Sequence, residues 1–477
     1  MALLRIKYLW KPLLGVLALS LVLPVVVRPQ DEEESDQEKN RAPFEVGEAT
    51  SDLLSSLKQF EETKNWDGAI QAIQGQLRKV KSGSYDEEML YRALAQQTYQ
   101  KSDFMGSMAA AEHCLQIDDQ HHYLDRRTRR DMLYWVAQIA FNEGSSAKVA
   151  AQQAVLYAKA DKALDEWLKG TKEKEFTPDN LLFVAMLYFY RAQPGAGAAG
   201  VEEKTDREMM EKALQWTDKG LHSMARPRDN FYQLKLAELF QLGRFREGAE
   251  LLETIIKKKP ESKNYWQQLF NTYVQLASEA QEKHDDQAVL TENIRAIVTA
   301  ERAQKLGFLN SQKDNFNLAV IYLSIGQFGE ACGVLDQGLK NNTIERKREN
   351  YELLANSLQQ IHRNTEAIRT LEDAAKLFPH SGQLEYEIAQ IYFADNKSKD
   401  AFEHMKRCVE KGGTEDPPIG WMFYAYLALD LKEYDLAIKA AQEVQKYPKH
   451  EKEGKQMEDA INATKADREA RLKSQGI

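Results

Sequence analysis

The spacing of small and large apolar residues over 315–339 limits this chain more than any other feature of it. Leu318, Ala319 and Tyr322 fall on one face of a first helix, and Ala331, Leu335, Gly338 and Leu339 on one face of a second. Residues three and four apart share a face of an α-helix, so each segment reads as amphipathic. Gly326 relaxes the backbone where the first helix stops, and Phe328 supplies a ring for the angle between the two. Small side chains at Ala319, Ala331 and Gly338 let the helices approach; Tyr322, Phe328 and Leu335 fill what remains.

One such pair cannot bury its apolar face alone, so the pattern must recur. It recurs in Leu354, Ala355, Leu358, Ala367, Leu371, Ala374 and Pro379, and again in Ile388, Ala389, Tyr392, Ala401, Met405 and Cys408. Tyr424, Ala425, Ala428, Tyr434, Ala437, Ala441 and Val444 repeat it once more. Upstream, Trp66 with Ala69 and Phe104 after Leu94 and Ala95 mark two further second helices, and Leu236, Ala237, Phe240, Gly243, Phe245, Leu252 and Pro260 a compact fifth repeat. The third, fourth and sixth repeats are expanded, the fourth by a Gly/Ala-rich insertion at 193–200 that maps to a loop.

This small/large alternation resembles the tetratricopeptide (TPR) repeat. The expected fold is all-α: a TPR superhelical solenoid of about ten antiparallel helix pairs, closed by a charged C-terminal capping helix. The expected organisation is 1–29 as an export segment, 30–49 as an acidic flexible linker, 50–260 as an N-terminal TPR array with inserted loops, 261–447 as a C-terminal array, and 448–477 as capping helix and tail. A chain of 477 residues ordinarily implies several domains, but a solenoid lengthens by adding repeats, so length does not count domains here.

The formal net charge of −9 argues against a nucleic-acid partner, because phosphate binding needs a basic face. Cys114, Cys332 and Cys408 are odd in number and far apart, so they form neither a disulfide framework nor a paired metal motif. They read as small buried hydrophobes. No HExxH, paired CxxC, GxSxG or phosphate loop occurs in its required setting. Gly195 to Gly200 matches GxGxxG by letter but follows a helix, and His121 with His122 sits in a polar connector without further ligands at suitable spacing. The reading is no enzyme, no cofactor and no metal.

At the start of the chain, Arg5, Lys7 and Lys11 precede an apolar run from 12 to 27, which ends in Arg28, Pro29 and an acidic stretch. That order is an export signal: either a cleaved signal peptide, or an uncleaved anchor that tethers the protein to the inner membrane by residues 9–27. Membrane contact is expected through this segment alone, with the body in the periplasm.

A narrower resemblance lies in four groups of landmarks: residues 260–269 with Tyr265 and Trp266, residues 300–309 with Gly307 and Leu309, residues 317–322, and Lys411, Gly412, Gly413, Pro417, Gly420 and Trp421. Together they resemble the exported TPR component found beside TonB, ExbB and ExbD. The resemblance implies an accessory protein of a TonB-type energy-transduction system, with TonB, ExbB or ExbD components or a TonB-dependent receptor as partners. The alternative on the same fold is a periplasmic assembly or secretion factor for cell-envelope proteins.

The surface such an array offers is the groove lined by its first helices. In the register above, Asn271, Asn356, Gln360, Tyr386, Gln390, Trp421 and Tyr426 point to it as protein-binding residues, while Phe316 and Phe393 pack against neighbouring helices. Aromatic rings supply area and amides bond main-chain groups of a bound peptide. Trp421 is expected outside the core series of Tyr424, Ala425 and Ala428, where it either covers the junction with the preceding repeat or anchors a partner. The groove lacks the regular lysines and arginines that would clamp a carboxylate tail.

Overall fold

The computed structural model describes residues 44–193 and 205–474; the export segment, the acidic stretch before Phe44 and the insertion at 194–200 lie outside them. Among the described residues, 21 α-helices and one short 3-10 turn make up the regular structure, and none of it is strand. Twenty-one is ten pairs and one more, the arrangement that the repeat spacing requires.

Contacts divide the chain into two units between Leu251 and Leu252. The first holds the pairs α1 (Glu48–Glu62) and α2 (Trp66–Leu77), α3 (Tyr85–Gln100) and α4 (Phe104–His121), and α5 (Arg126–Ser146) and α6 (Ala150–Gly170). It continues with α7 (Pro178–Arg191), α8 (Arg207–His222), α9 (Asp229–Gln241) and the first half of α10 (Phe245–Lys258). The second unit begins within α10 and holds α11 (Lys263–Glu282) with α12 (Asp286–Lys305), then α13 (Gln312–Ser324) with α14 (Phe328–Lys340). There follow α15 (Arg348–Gln360) with α16 (Asn364–Leu377), α17 (Gly382–Ala394) with α18 (Ser398–Glu410), α19 (Pro417–Asp430) with α20 (Tyr434–Gln445), and α21 (Glu451–Ser474).

The turn inside a pair is nearly invariant. Two residues before the second helix the backbone is left-handed, at Lys64, Ser102, Gly243, His284, Gly326, His362, Asn396 and Lys432. The next residue then donates its N–H to a carbonyl five positions back: Gln327 to Tyr322 at 2.9 Å, Arg363 to Leu358 at 2.9 Å, Lys397 to Tyr392 at 2.9 Å, Glu433 to Ala428 at 2.8 Å. This is the Schellman closure, which satisfies a carbonyl that the ending helix leaves open. The expected glycine is present only at Gly243 and Gly326; elsewhere polar residues hold the same conformation. Pair α5/α6 departs from the rule, running instead through extended backbone at Ala147 and Val149.

Packing follows the small/large pattern. Ala319, Ala331, Ala355, Ala367, Ala389, Ala401, Ala425 and Ala437, two per pair from α13 to α20, are completely buried. Leu335, Leu371 and Met405 fill the space beside them and are buried as fully. Each such large side chain contributes roughly 1.5–3 kcal/mol by leaving water. At the C-terminal end α21 closes the stack: Ile461 is buried in the cluster of α19 and α20, and Gln442 and Gln445 each donate to Glu458 at 2.7 Å.

The landmarks that carry the narrower resemblance have structural roles. Trp266 is buried and donates its indole N–H to the Pro260 carbonyl at 2.8 Å, which pins the turn before α11. Gly307 and Leu309 are both left-handed, and Leu309 is buried after that bend. Gly412 and Gly413 are left-handed in succession, which reverses the chain after α18. Beside them Glu385 is buried and held by Lys411 at 2.7 Å and His404 at 2.8 Å.

Candidate protein-binding face

The first helices α15, α17 and α19 each bury one small-residue edge, Leu354 with Ala355, Ile388 with Ala389, and Tyr424 with Ala425. Side chains displaced by one position around the helix leave that edge. On α17, Tyr386, Gln390 and Phe393 stand at i, i+4 and i+7; on α19, Phe423 and Tyr426 stand at i and i+3.

These two series meet. The Tyr386 ring approaches Phe423 edge-on at 5.8 Å, and Phe393 contacts both Phe423 and Tyr426 at 5.5 Å. Gln390 donates its side-chain N–H to the Tyr386 hydroxyl at 2.9 Å, fixing that ring's outer end. Tyr386, Phe393 and Phe423 are half-buried, but Tyr426 is 52% exposed and Ile419, one turn before Phe423, is 44% exposed. Rings packed edge to face are rigid and lose little entropy on binding, so they present apolar area to a partner at small cost.

Of the residues expected to bind, the structure brings together Tyr386, Gln390 and Tyr426. Asn356 and Gln360 are exposed one turn apart on α15, where Asn356 accepts a 3.4 Å hydrogen bond from Gln359. Asn271 stands apart on α11, half-buried and bonded to Gln267 of its own helix. Trp421 is a correction: expected outside the core series, it lies 6.1 Å from the Tyr424 ring and packs, half-buried, on the α19–α20 core. The reason is helical spacing, since three residues bring Trp421 over the turn that carries Tyr424. Phe316 packs against the core around α14 and α15, and Phe393 packs on the core beside α19, against Phe423, while also touching Tyr426.

Sequence reasoning passed over Phe423, and with it Arg348, Glu352, Gln383 and Glu387. Gln383 and Glu387 lie one turn apart on α17, and Gln383 donates to Glu387 at 3.1 Å. The signal was present in the i, i+3, i+4, i+7 series of Gln383, Tyr386, Glu387 and Gln390, which lines one stripe of that helix.

Elsewhere, His121 stacks on Tyr123 at 5.3 Å, and His122 closes α4 in the left-handed conformation. Among the described residues no group of three or more histidines, cysteines or acidic residues is placed to hold a metal ion. None of the described helices is long and apolar enough to cross a membrane.

The tetratricopeptide repeat family pattern matches residues 352–417, from within α15 to the start of α19, and so covers Glu352, Tyr386, Glu387 and Gln390. The chain carries tetratricopeptide repeats there, and the same turn and the same alanine pairs extend on both sides of the match. No curated protein matches the sequence. Among solved structures, MamA from Desulfovibrio magneticus RS-1 is similar at 15% identity, over 39% of this chain and 96% of that one, with a TM-score of 0.28. Pseudomonas aeruginosa pilF is similar at 14% identity, over 54% and 99%, with a TM-score of 0.28. A tetratricopeptide repeat protein from Parabacteroides merdae is similar at 13% identity, over 61% and 98%, with a TM-score of 0.29. Superpositions this partial carry no functional argument.

Proposed function

We propose that this chain is a non-catalytic scaffold that holds a second protein on the face of α15, α17 and α19. The observation that carries the reading is the ring group of Tyr386, Phe393, Phe423 and Tyr426: three half-buried rings seated on the core hold the exposed Tyr426 ring at the surface, with an amide beside them. Tyrosine and phenylalanine anchors of this kind concentrate binding energy where water is excluded.

The further part of the proposal is that the protein is exported and serves a TonB-type energy-transduction system in the periplasm. The basic residues Arg5, Lys7 and Lys11 ahead of an apolar run support export. The landmarks around Trp266, Gly307 and Gly413 support kinship with the TPR component of such systems. Fusing residues 1–48 to a reporter active only outside the cytoplasm tests the first part, and a silent fusion rejects it. Pull-down of the purified full chain with periplasmic fragments of TonB and ExbD tests the second. Capture that is lost in Tyr426→Ala supports it; no capture of either fragment, with outer-membrane or envelope proteins retained instead, moves the assignment to an assembly factor.

A further inference from the structure

The charges around the ring group are unbalanced, and the imbalance selects a kind of partner. Helices α17 and α19 contain no lysine or arginine, and Arg348 is the sole basic residue of α15. Against it stand Glu349 and Glu352 on α15, Glu385 and Glu387 on α17, Asp430 on α19 and Glu415 in the connector before α19. Glu385 is compensated by Lys411 and His404 on its other side.

Arg348 is already committed. It pairs with Glu349 at 3.4 Å, with Glu352 at 3.3 Å and with Glu415, and the Glu415 N–H is tied to Gln383 at 3.2 Å. Glu387 has no ion-pair partner among the described residues: its Oε1 accepts from Gln383, and its Oε2 is buried and accepts no hydrogen bond. Burial, with Glu352 and Glu415 adding repulsion, pushes this carboxyl up to about 7. Burial likewise raises Glu352. A positive group brought to this point relieves both; a negative group worsens both. Glu387 lies in one stripe of α17 with Gln383, which donates to it, and with Gln390, which donates to the Tyr386 hydroxyl, and the Tyr386 ring rests on Phe423, so the charge deficit adjoins the apolar surface.

Resting on the scaffold reading above, we propose that this face takes a protein segment that sets a lysine or arginine against Glu387 and Glu352 and an adjoining apolar or aromatic residue against Phe423 and Tyr426. Like-charge repulsion excludes an acidic segment, such as a free carboxylate tail. The cation contributes selectivity and the rings contribute area, a division usual where a charge is only partly desolvated.

The test is selection of a random dodecapeptide display library on the full chain, followed by affinity measurement of the enriched peptides on variants. Enriched peptides are expected to carry lysine or arginine beside an apolar residue and to bind less tightly as salt is raised. They should weaken about tenfold on Tyr426→Ala and about five- to tenfold on Glu387→Gln. Glu387→Lys should reverse the preference towards acidic peptides. Glu387→Gln is isosteric and removes a poorly compensated charge, so an unchanged or raised melting temperature certifies its fold. Peptides free of lysine and arginine that still lose affinity on Tyr426→Ala overturn the cationic specificity and leave the scaffold reading standing. Full affinity on Glu387→Gln overturns it too. Failure to enrich any peptide sensitive to Tyr426→Ala overturns both readings for this face.

Discussion

The carbonyl oxygen of Gly413 lies against the α-carbon of Gly382, so close that a β-carbon there would stand 2.1 Å from it and 2.8 Å from the Cys408 carbonyl oxygen. Both obstacles are backbone. Gly382→Ala must therefore push the start of α17 away from the turn after α18, and it should cost about 3 kcal/mol or more, at or above the upper end of ordinary overpacking. Gly333→Ala is the matched control, because a β-carbon at that helical position meets nothing. It should stabilise by roughly 0.5–1 kcal/mol. Urea unfolding of both variants reads the difference, and equal effects would reject the contact.

The repeated left-handed turn gives a second expectation. Gly326→Ala places a β-carbon in a conformation that disfavours it and should cost about 1 kcal/mol, although no neighbour obstructs it. Lys432→Gly and His362→Gly remove the same penalty and should stabilise by up to about 1 kcal/mol, less what glycine adds to the unfolded chain's entropy. Melting temperatures that fall in both glycine variants would show that the polar side chains contribute more than the backbone conformation costs.

These turns mark where sequence reading succeeded and where it stopped. Alternation of alanine with leucine, methionine and tyrosine reports directly on interhelical distance, so Ala319, Ala331 and their counterparts were legible as a fold. The Schellman turns at His362, Asn396 and Lys432 were not, since a polar residue forced left-handed by its neighbours leaves no compositional trace. The binding face was legible only in part for a related reason. Gln390 and Tyr426 stand out as exposed residues and Tyr386 as a ring beside them, but Phe423 and Glu387 matter through neighbours on the preceding repeat. Spacing along one helix cannot report a contact between two.

Stability should vary with pH in a direction set by the carboxyls that burial raises, Glu88, Glu238 and Glu352 among them. Burial pushes Asp161 up to about 6, despite its 3.0 Å pair with Arg191, and Glu387 up to about 7. In the unfolded chain both lose their proton near the ordinary carboxylate range, so between that range and neutrality the native state binds more protons. Their contribution is fully present at the ordinary carboxylate value and is lost as pH rises through about 6 and 7. Opposing it in acid, Glu175 and Glu385 are held down to about 2, the first chiefly by Arg126 and the second by His404 and Lys411 against burial. Their contribution is present above the ordinary value and lost as pH falls through about 2. The urea midpoint should thus decline between pH about 5 and 8, and Glu387→Gln should flatten the decline.

The three thiols should be silent in the native state. Cys114, Cys332 and Cys408 are all buried, and burial raises each; Cys408 is pushed up to about 12, with Glu385 adding to the effect. A thiolate is the reactive species, so Ellman's reagent should label the folded protein only as fast as it opens and should release three equivalents in denaturant. A rapid stoichiometric burst from native protein would show that one of these sites is open to water.

Trp421 and Tyr426 separate structure from binding on a single helix. They are five residues apart on α19, but Trp421 rests on Tyr424, whose ring in turn stacks on Phe402 at 5.3 Å, while Tyr426 meets the rim ring of Phe393 and stays half in water. Truncating Trp421 removes ring contacts from a core cluster and should cost about 2–3 kcal/mol, less than a fully buried ring because part of it already faces solvent. Truncating Tyr426 should change stability by under about 0.5 kcal/mol, as surface replacements usually do. The order reverses for a partner: Tyr426→Ala should abolish capture of a bound protein, and Trp421→Ala, measured well below its lowered melting temperature, should retain it. Paired thermal unfolding and pull-down of the two variants decide the matter. If Tyr426→Ala binds as wild type and Trp421→Ala does not, the rings of α17 and α19 are only packing, and the face that holds the partner is built around the tryptophan instead.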